Sequence, residues 1–163
     1  MSIENIKRLS MNSHFYSLLI QGFLSGYEKP CEVKLAFMAL PILLHEESRE
    51  KLVNANVRSR IDTLFQSEQI VGDNKISGRT RLTGYIDRYN ALKPYCKECI
   101  IILSSENKVV IDKQHKLIIT KKTEYTSFKG TVKDWVKCAY YLGVIFSKTS
   151  KEHLSYFLGV EAE

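Results

Sequence analysis

Apolar residues at Phe15, Leu18, Leu19 and Phe23 recur at the three- and four-residue spacing of one helix face. Asn12 and Ser13 are both competent N-caps, so the pattern predicts an amphipathic helix that begins there and stops near Gly26. The next segment, 33–44, is apolar on nearly every side, as expected of a helix enclosed by other elements rather than lying on a surface. Pro41 sits inside it and removes one backbone hydrogen bond, so this helix must kink or end nearby and its carbonyls need other partners.

Two short helical stretches follow, HEESREKL and VRSRIDTLF, in which charges alternate with Leu52, Val57, Ile61 and Leu64. A turn at Gly72, Asp73 and Asn74 precedes a longer predicted helix running to Leu92, with Leu82, Tyr85, Ile86 and Tyr89 as its inward stripe. Gly78 and Gly84 weaken that helix by about 1 kcal/mol each relative to alanine. Pro94 suits the first turn of a following helix, where its missing N–H costs nothing. The run CIIIL, 99–103, fits a buried strand as well as a helix.

Two β-branched runs, 109–111 and 117–120, are joined by residues 112–116 and read as a hairpin. Beyond the polar connection TEYTSFKG, the residues Val132, Trp135, Val136, Ala139, Leu142, Gly143 and Phe146 give a helix over 131–148. Thr149 with Glu152 has the form of a capping box, and Leu154, Phe157 and Leu158 carry a last helix to a stop at Gly159. The predicted fold is mainly α with one small β-hairpin: a single-domain helical bundle over 1–163, winged-helix-like in its order of helices, hairpin and helix.

A chain of 163 residues supports one well-buried core rather than two. No segment has the length and apolarity of a membrane span, and the start MSIENIKRLS lacks a signal-peptide apolar stretch, so a cytoplasmic protein with no membrane partner is expected. Cys31, Cys96, Cys99 and Cys138 are then expected to be reduced. Cys96 and Cys99 form a single C-x-x-C without the second pair a structural zinc site needs, and they read as small packing residues rather than metal or redox groups.

The net charge of +6 is unevenly spread. Residues 61–122 hold 11 Lys and Arg against 7 Asp and Glu, whereas 123–163 hold 5 of each. A basic centre fits nucleic acid or an acidic protein surface, and equally a solvated face that keeps the chain soluble. In a winged-helix arrangement Arg79, Arg81, Arg88 and Lys93 would meet phosphates, with Lys113 and Lys116 at the hairpin tip as a wing. The same six also fit ordinary surface charge.

No phosphate-cradling glycine loop, H-E-x-x-H helix, G-x-S-x-G elbow or clustered carboxylate set is present, so neither a catalytic centre nor a metal or other cofactor is expected, and the chain is not read as an enzyme. His45, flanked by Glu46 and Glu47, is the one histidine placed where a base could be tuned. It reads instead as a helix-end histidine that hydrogen-bonds the carbonyls freed around Pro41, with Ser48 and Arg49 starting the next helix.

The ordered set FYSLLIQGFLSGYEK, LAFMALPILLH with Ser48 and Arg49, a basic middle, a hairpin, KCAYYLGVIFSKT and FLGV resembles the middle component of bacterial three-component ABC systems. That group includes the small accessory subunit of Lamassu-type defence operons. The similarity spans about 12–160, and its most specific positions are Pro41, His45, Arg49, Gly143 and Gly159, which the resemblance implies are structural. It further implies a non-catalytic adaptor in an antiphage or antiplasmid complex, partnered by an SMC-like ABC ATPase and an effector that is often a nuclease. DNA would be met directly or through the ATPase. The competing reading of the residues is a stand-alone winged-helix transcriptional regulator that binds operator DNA.

Overall fold

A computed structural model describes residues 12–65, 69–71, 74–76 and 84–160. In chain order it contains α1 (Ser13–Tyr27), β1 (Cys31–Glu32), α2 (Val33–Leu43), α3 (Glu46–Glu50), α4 (Ile61–Phe65), β2 (Gln69–Val71), β3 (Asn74–Ile76), α5 (Tyr85–Ser105), β4 (Val109–Ile111), β5 (Lys116–Ile119), α6 (Gly130–Ser147) and α7 (Lys151–Leu158), with a 3-10 turn at Tyr125–Ser127 before α6. The fold is mainly helical, with a small antiparallel sheet of order β1-β5-β4 on one side and β2 paired with β3 elsewhere.

Helix α1 starts where the sequence places it, because the Asn12 side chain accepts from the backbone N–H groups of His14 and Phe15 at 2.9 and 3.4 Å. It runs past Gly26 to Tyr27, and the residue that turns into the left-handed region is Glu28, at φ 63°. The helix thus ends near Gly26, as the sequence suggests, but Gly26 itself is not the left-handed capping residue. It serves packing: α1 lies along α6, and the two backbones come so close at Gly26 and Gly143 that no side chain fits at either point. A Cβ on Gly143 would overlap the Phe23 carbonyl and lie 2.8 Å from the Tyr27 nitrogen. Phe23 and Phe146 meet edge to face at 5.3 Å in the centre of this crossing, both without solvent exposure.

The second helix, α2, is enclosed as its all-round apolarity predicts, with Leu35, Ala36, Met38, Ala39, Leu40, Ile42 and Leu43 buried. Helix α5 packs on both α1 and α2. It corrects two expectations. Asn74–Ile76 is a strand, not the start of a helix, and the helix begins at Tyr85, after Gly84 at φ 79°.

Pro94, placed by the sequence in the first turn of a separate helix, lies inside the uninterrupted α5. The residues on either side of it, Tyr89, Cys96, Cys99 and Leu103, are all buried, and their packing outweighs the one lost hydrogen bond. The ambiguous CIIIL run is helical too, with Ile101 67% exposed between buried Ile100 and Leu103.

The hairpin appears as predicted, pairing Val109 with Ile119 and Ile111 with Leu117. Its turn is held by Asp112, whose carboxylate accepts from the N–H groups of Gln114 and Lys116 at 2.8 and 2.9 Å. A third strand of only two residues was not foreseen: Cys31 pairs with Leu117 and Glu32 with Lys116. At the C-terminal end, the cap of α7 is Ser150, whose hydroxyl accepts from His153 N–H at 3.2 Å, one residue after the predicted Thr149. The Thr149 hydroxyl instead donates to the Ile145 carbonyl, which keeps it with the end of α6. Gly159 ends α7 at φ 74°, as expected.

Candidate functional site

The residues singled out in LAFMALPILLHEESR form one internal corner. Pro41 cannot donate to the carbonyl four residues back, and α2 ends two residues later, leaving carbonyls near its close in need of donors. Two arginines supply them. The Arg49 guanidinium donates to the Leu43 carbonyl at 2.9 Å, and Arg88 Nε, from α5, donates to the Pro41 carbonyl at 3.4 Å. One turn earlier the buried Tyr85 hydroxyl donates to the Met38 carbonyl at 2.7 Å.

His45 does not take those carbonyls with its ring, contrary to the expectation from sequence. Its Nδ1 lies 2.8 Å from the Ser48 hydroxyl, and only its backbone N–H turns back, to the Ile42 carbonyl at 3.3 Å. The geometry explains why: His45 is the N-cap residue of α3, so its ring follows α3 toward Ser48. Ser48 and Arg49 accordingly lie within α3 rather than at its start. The histidine–serine contact resembles a nucleophile–base pair, but Ser48 has no solvent exposure and presents no oxygen to a substrate.

Burial, reinforced by the Arg88 charge and partly offset by Glu47, holds the His45 imidazole below the ordinary histidine range. A depressed folded value means that the unfolded chain binds the proton more readily. The His45 contribution to stability is thus complete above about pH 6.5 and is lost as the pH falls from there through the folded value. Melting temperature should drop between pH 7.5 and pH 5.5, with a shallower drop in His45→Gln. Equal slopes in the two proteins would contradict this.

Arg49 also reaches the last long helix. Its guanidinium carbon stands 3.6 Å from the centre of the Trp135 ring, and that ring meets Phe15 of α1 edge to face at 5.4 Å. Cys138, one turn beyond Trp135, lies with its sulfur 4.0 Å from the Arg49 carbonyl. A single arginine therefore joins the end of α2 to the α1–α6 pair. Nothing local in the sequence signals this, since Arg49 and Trp135 are 86 positions apart.

Burial raises the thiols of all four cysteines, Cys31 and Cys96 to about 12, Cys99 and Cys138 to about 11. Thiolate is the reactive form, so each is held in its inert state at neutral pH. All four are free and buried. Cys96 and Cys99 sit on the inner face of α5 as packing groups.

Of the six basic residues proposed for nucleic acid, the structure describes four. Arg79 and Arg81 lie outside the described residues. Arg88 points inward to the Pro41 carbonyl. Lys93 extends over the Tyr89 ring, 4.9 Å from its centre, at the edge of a groove between α5, the start of α2 and the end of α7. Lys113 and Lys116 flank the hairpin turn, where Lys113 is exposed and Lys116 half-buried. That groove, about 610 Å³ in volume, also brings in Lys34, Ile86, Asn90 and Gly159.

Gly143 and Gly159 are placed as structural residues, one at the helix crossing and one as a left-handed cap. The family model for ABC-three component (ABC-3C) system Middle Component 3 matches residues 1–162. The chain belongs to this family. No curated protein and no solved structure matches it. As a Middle Component 3 chain it is one part of a multi-component ABC-3C system. Among the described residues no helix is long and apolar enough to cross a membrane.

Proposed function

We propose that this Middle Component 3 chain is a non-catalytic, cytoplasmic adaptor that bridges an SMC-like ABC ATPase and an effector, commonly a nuclease, in a Lamassu-type antiphage or antiplasmid defence complex. The observation that carries the proposal is the match of the middle-component family over 162 of the 163 residues. The use of the polar residues at the Pro41–Arg49 corner is in keeping with this: Arg49, Arg88 and Tyr85 are engaged with the protein's own carbonyls.

An adaptor changes the state of its partners only by binding one arrangement of them more tightly than another. The chain would hold ATPase and effector in the restrained arrangement, and movement of the ATPase on meeting DNA would release the effector. Co-expression with the two neighbouring genes tests this. The chain should elute with a large ATPase at physiological salt, and elution alone with both neighbours present would refute it.

A further inference from the structure

We infer that the groove between α5, the start of α2 and the end of α7 is the seat for an acidic, extended peptide segment of another component of the system, an inference that rests on the adaptor reading above. Its lining joins parts of the chain far apart in sequence: Lys34 on α2, Ile86, Asn90 and Lys93 on α5, and Gly159 with Val160 after α7. A volume of about 610 Å³ is that of a ligand site for a few side chains.

The charge of the groove is one-sided. Among the described residues its lining contains two lysines and no carboxylate. The carboxylate nearest in sequence to Lys34, Glu32, is already paired with Lys151 at 2.7 Å. Neither Lys34 nor Lys93 forms an ion pair with a carboxylate among the described residues. Lys93 rests on the Tyr89 ring, which holds its ammonium at the groove without neutralising it.

The lining also holds an apolar element. Ile86 is 39% exposed, and its Cδ1 is 3.9 Å from where a Cβ on Gly159 would stand, so the glycine keeps this side of the groove open. The combination of two cations and an apolar side chain matches a peptide that offers carboxylates and an apolar side chain.

A nucleic acid fits less well. Single strands bind by stacking on exposed rings, and Tyr89 is only 6% exposed, with Lys93 on one side and Tyr85 stacked against it at 6.2 Å. A duplex is read along a broad surface, not within a pocket of this size.

Zero-length carbodiimide coupling of the complete complex tests the assignment, because it joins lysine amines only to carboxylates in contact with them. Lys34 or Lys93 should couple to Asp or Glu of another component. In a Lys34→Glu, Lys93→Glu double variant with unchanged melting temperature, affinity for that component should fall by about tenfold or more, while Lys113→Glu with Lys116→Glu leaves it unchanged. A complex that persists with no such link and is insensitive to the double variant overturns the groove assignment alone. Coupling only to Glu161 or Glu163 of the same chain, or displacement of the partner from the groove by a short oligonucleotide, overturns it in favour of another occupant. A chain that elutes without partners overturns both this inference and the adaptor reading.

Discussion

Gly143→Ala will destabilise the protein by about 3 kcal/mol or more, measured by urea unfolding, or prevent folding altogether. The added methyl would overlap the Phe23 carbonyl and stand 2.8 Å from the Tyr27 nitrogen. Both are backbone atoms of α1, and a helix cannot move one turn aside without separating Phe23 from Phe146 and opening the centre of the core. Gly26→Ala should behave in the same way, since its Cβ would meet the Tyr140 backbone.

Gly22 on the same helix provides the internal control. A Cβ there meets Val136 Cγ1 at 3.3 Å, a side-chain atom that can yield by a few tenths of an ångström, and stands 3.4 Å from both Ala139 Cβ and the Val136 carbonyl oxygen, an ordinary contact distance. Replacing an interior helical glycine by alanine gains about 1 kcal/mol of helix propensity, so Gly22→Ala should fall within about 1 kcal/mol of the wild type. Similar stability in all three variants would show that the helices are further apart than described here.

The second large effect is expected at Arg49. Arg49→Ala removes a charged hydrogen bond to the Leu43 carbonyl and the contact with Trp135, and should cost about 2–4 kcal/mol. Arg49→Lys separates the two contributions. Its ammonium keeps the charge but cannot lie flat on the indole while bonding the carbonyl, so about half of the loss should remain. The half-buried Trp135 ring gives the readout, since its fluorescence should change in both variants. Full stability in Arg49→Lys would mean that charge alone, not the planar stack, is what the corner uses.

Much of this fold was legible from local pattern. The Asn12 cap, the apolar spacing of α1 and α6, the hairpin and the Gly159 stop each depend on residues within a few positions of one another. The failures arise where distant contacts decide. Strand β1 is two residues long and exists because Cys31 finds Leu117. Pro94 is tolerated inside α5 because the buried residues around it hold the helix against α1 and α2. Gly26 looked like a helix stop, yet its need for bare backbone comes from Tyr140, more than a hundred positions away.

The candidate site divides in the same way. Pro41, His45 and Arg49 are neighbours in sequence and stand out as a group, but the partners that give them their roles, Arg88 and Trp135, belong to other helices. Arg88 carries the same formal charge as Lys93, and only the structure shows that one is directed inward while the other edges a groove. Lys34 had no local signal at all. Its relevance comes from lining the same groove as Lys93, with no carboxylate among the described lining residues.

The central claim is that the chain works by holding other components together, and the most direct test is retention of the ATPase by an immobilised effector with and without this chain. The account predicts retention of the ATPase only when the chain is present. Equal retention of the ATPase in the absence of the chain would contradict it.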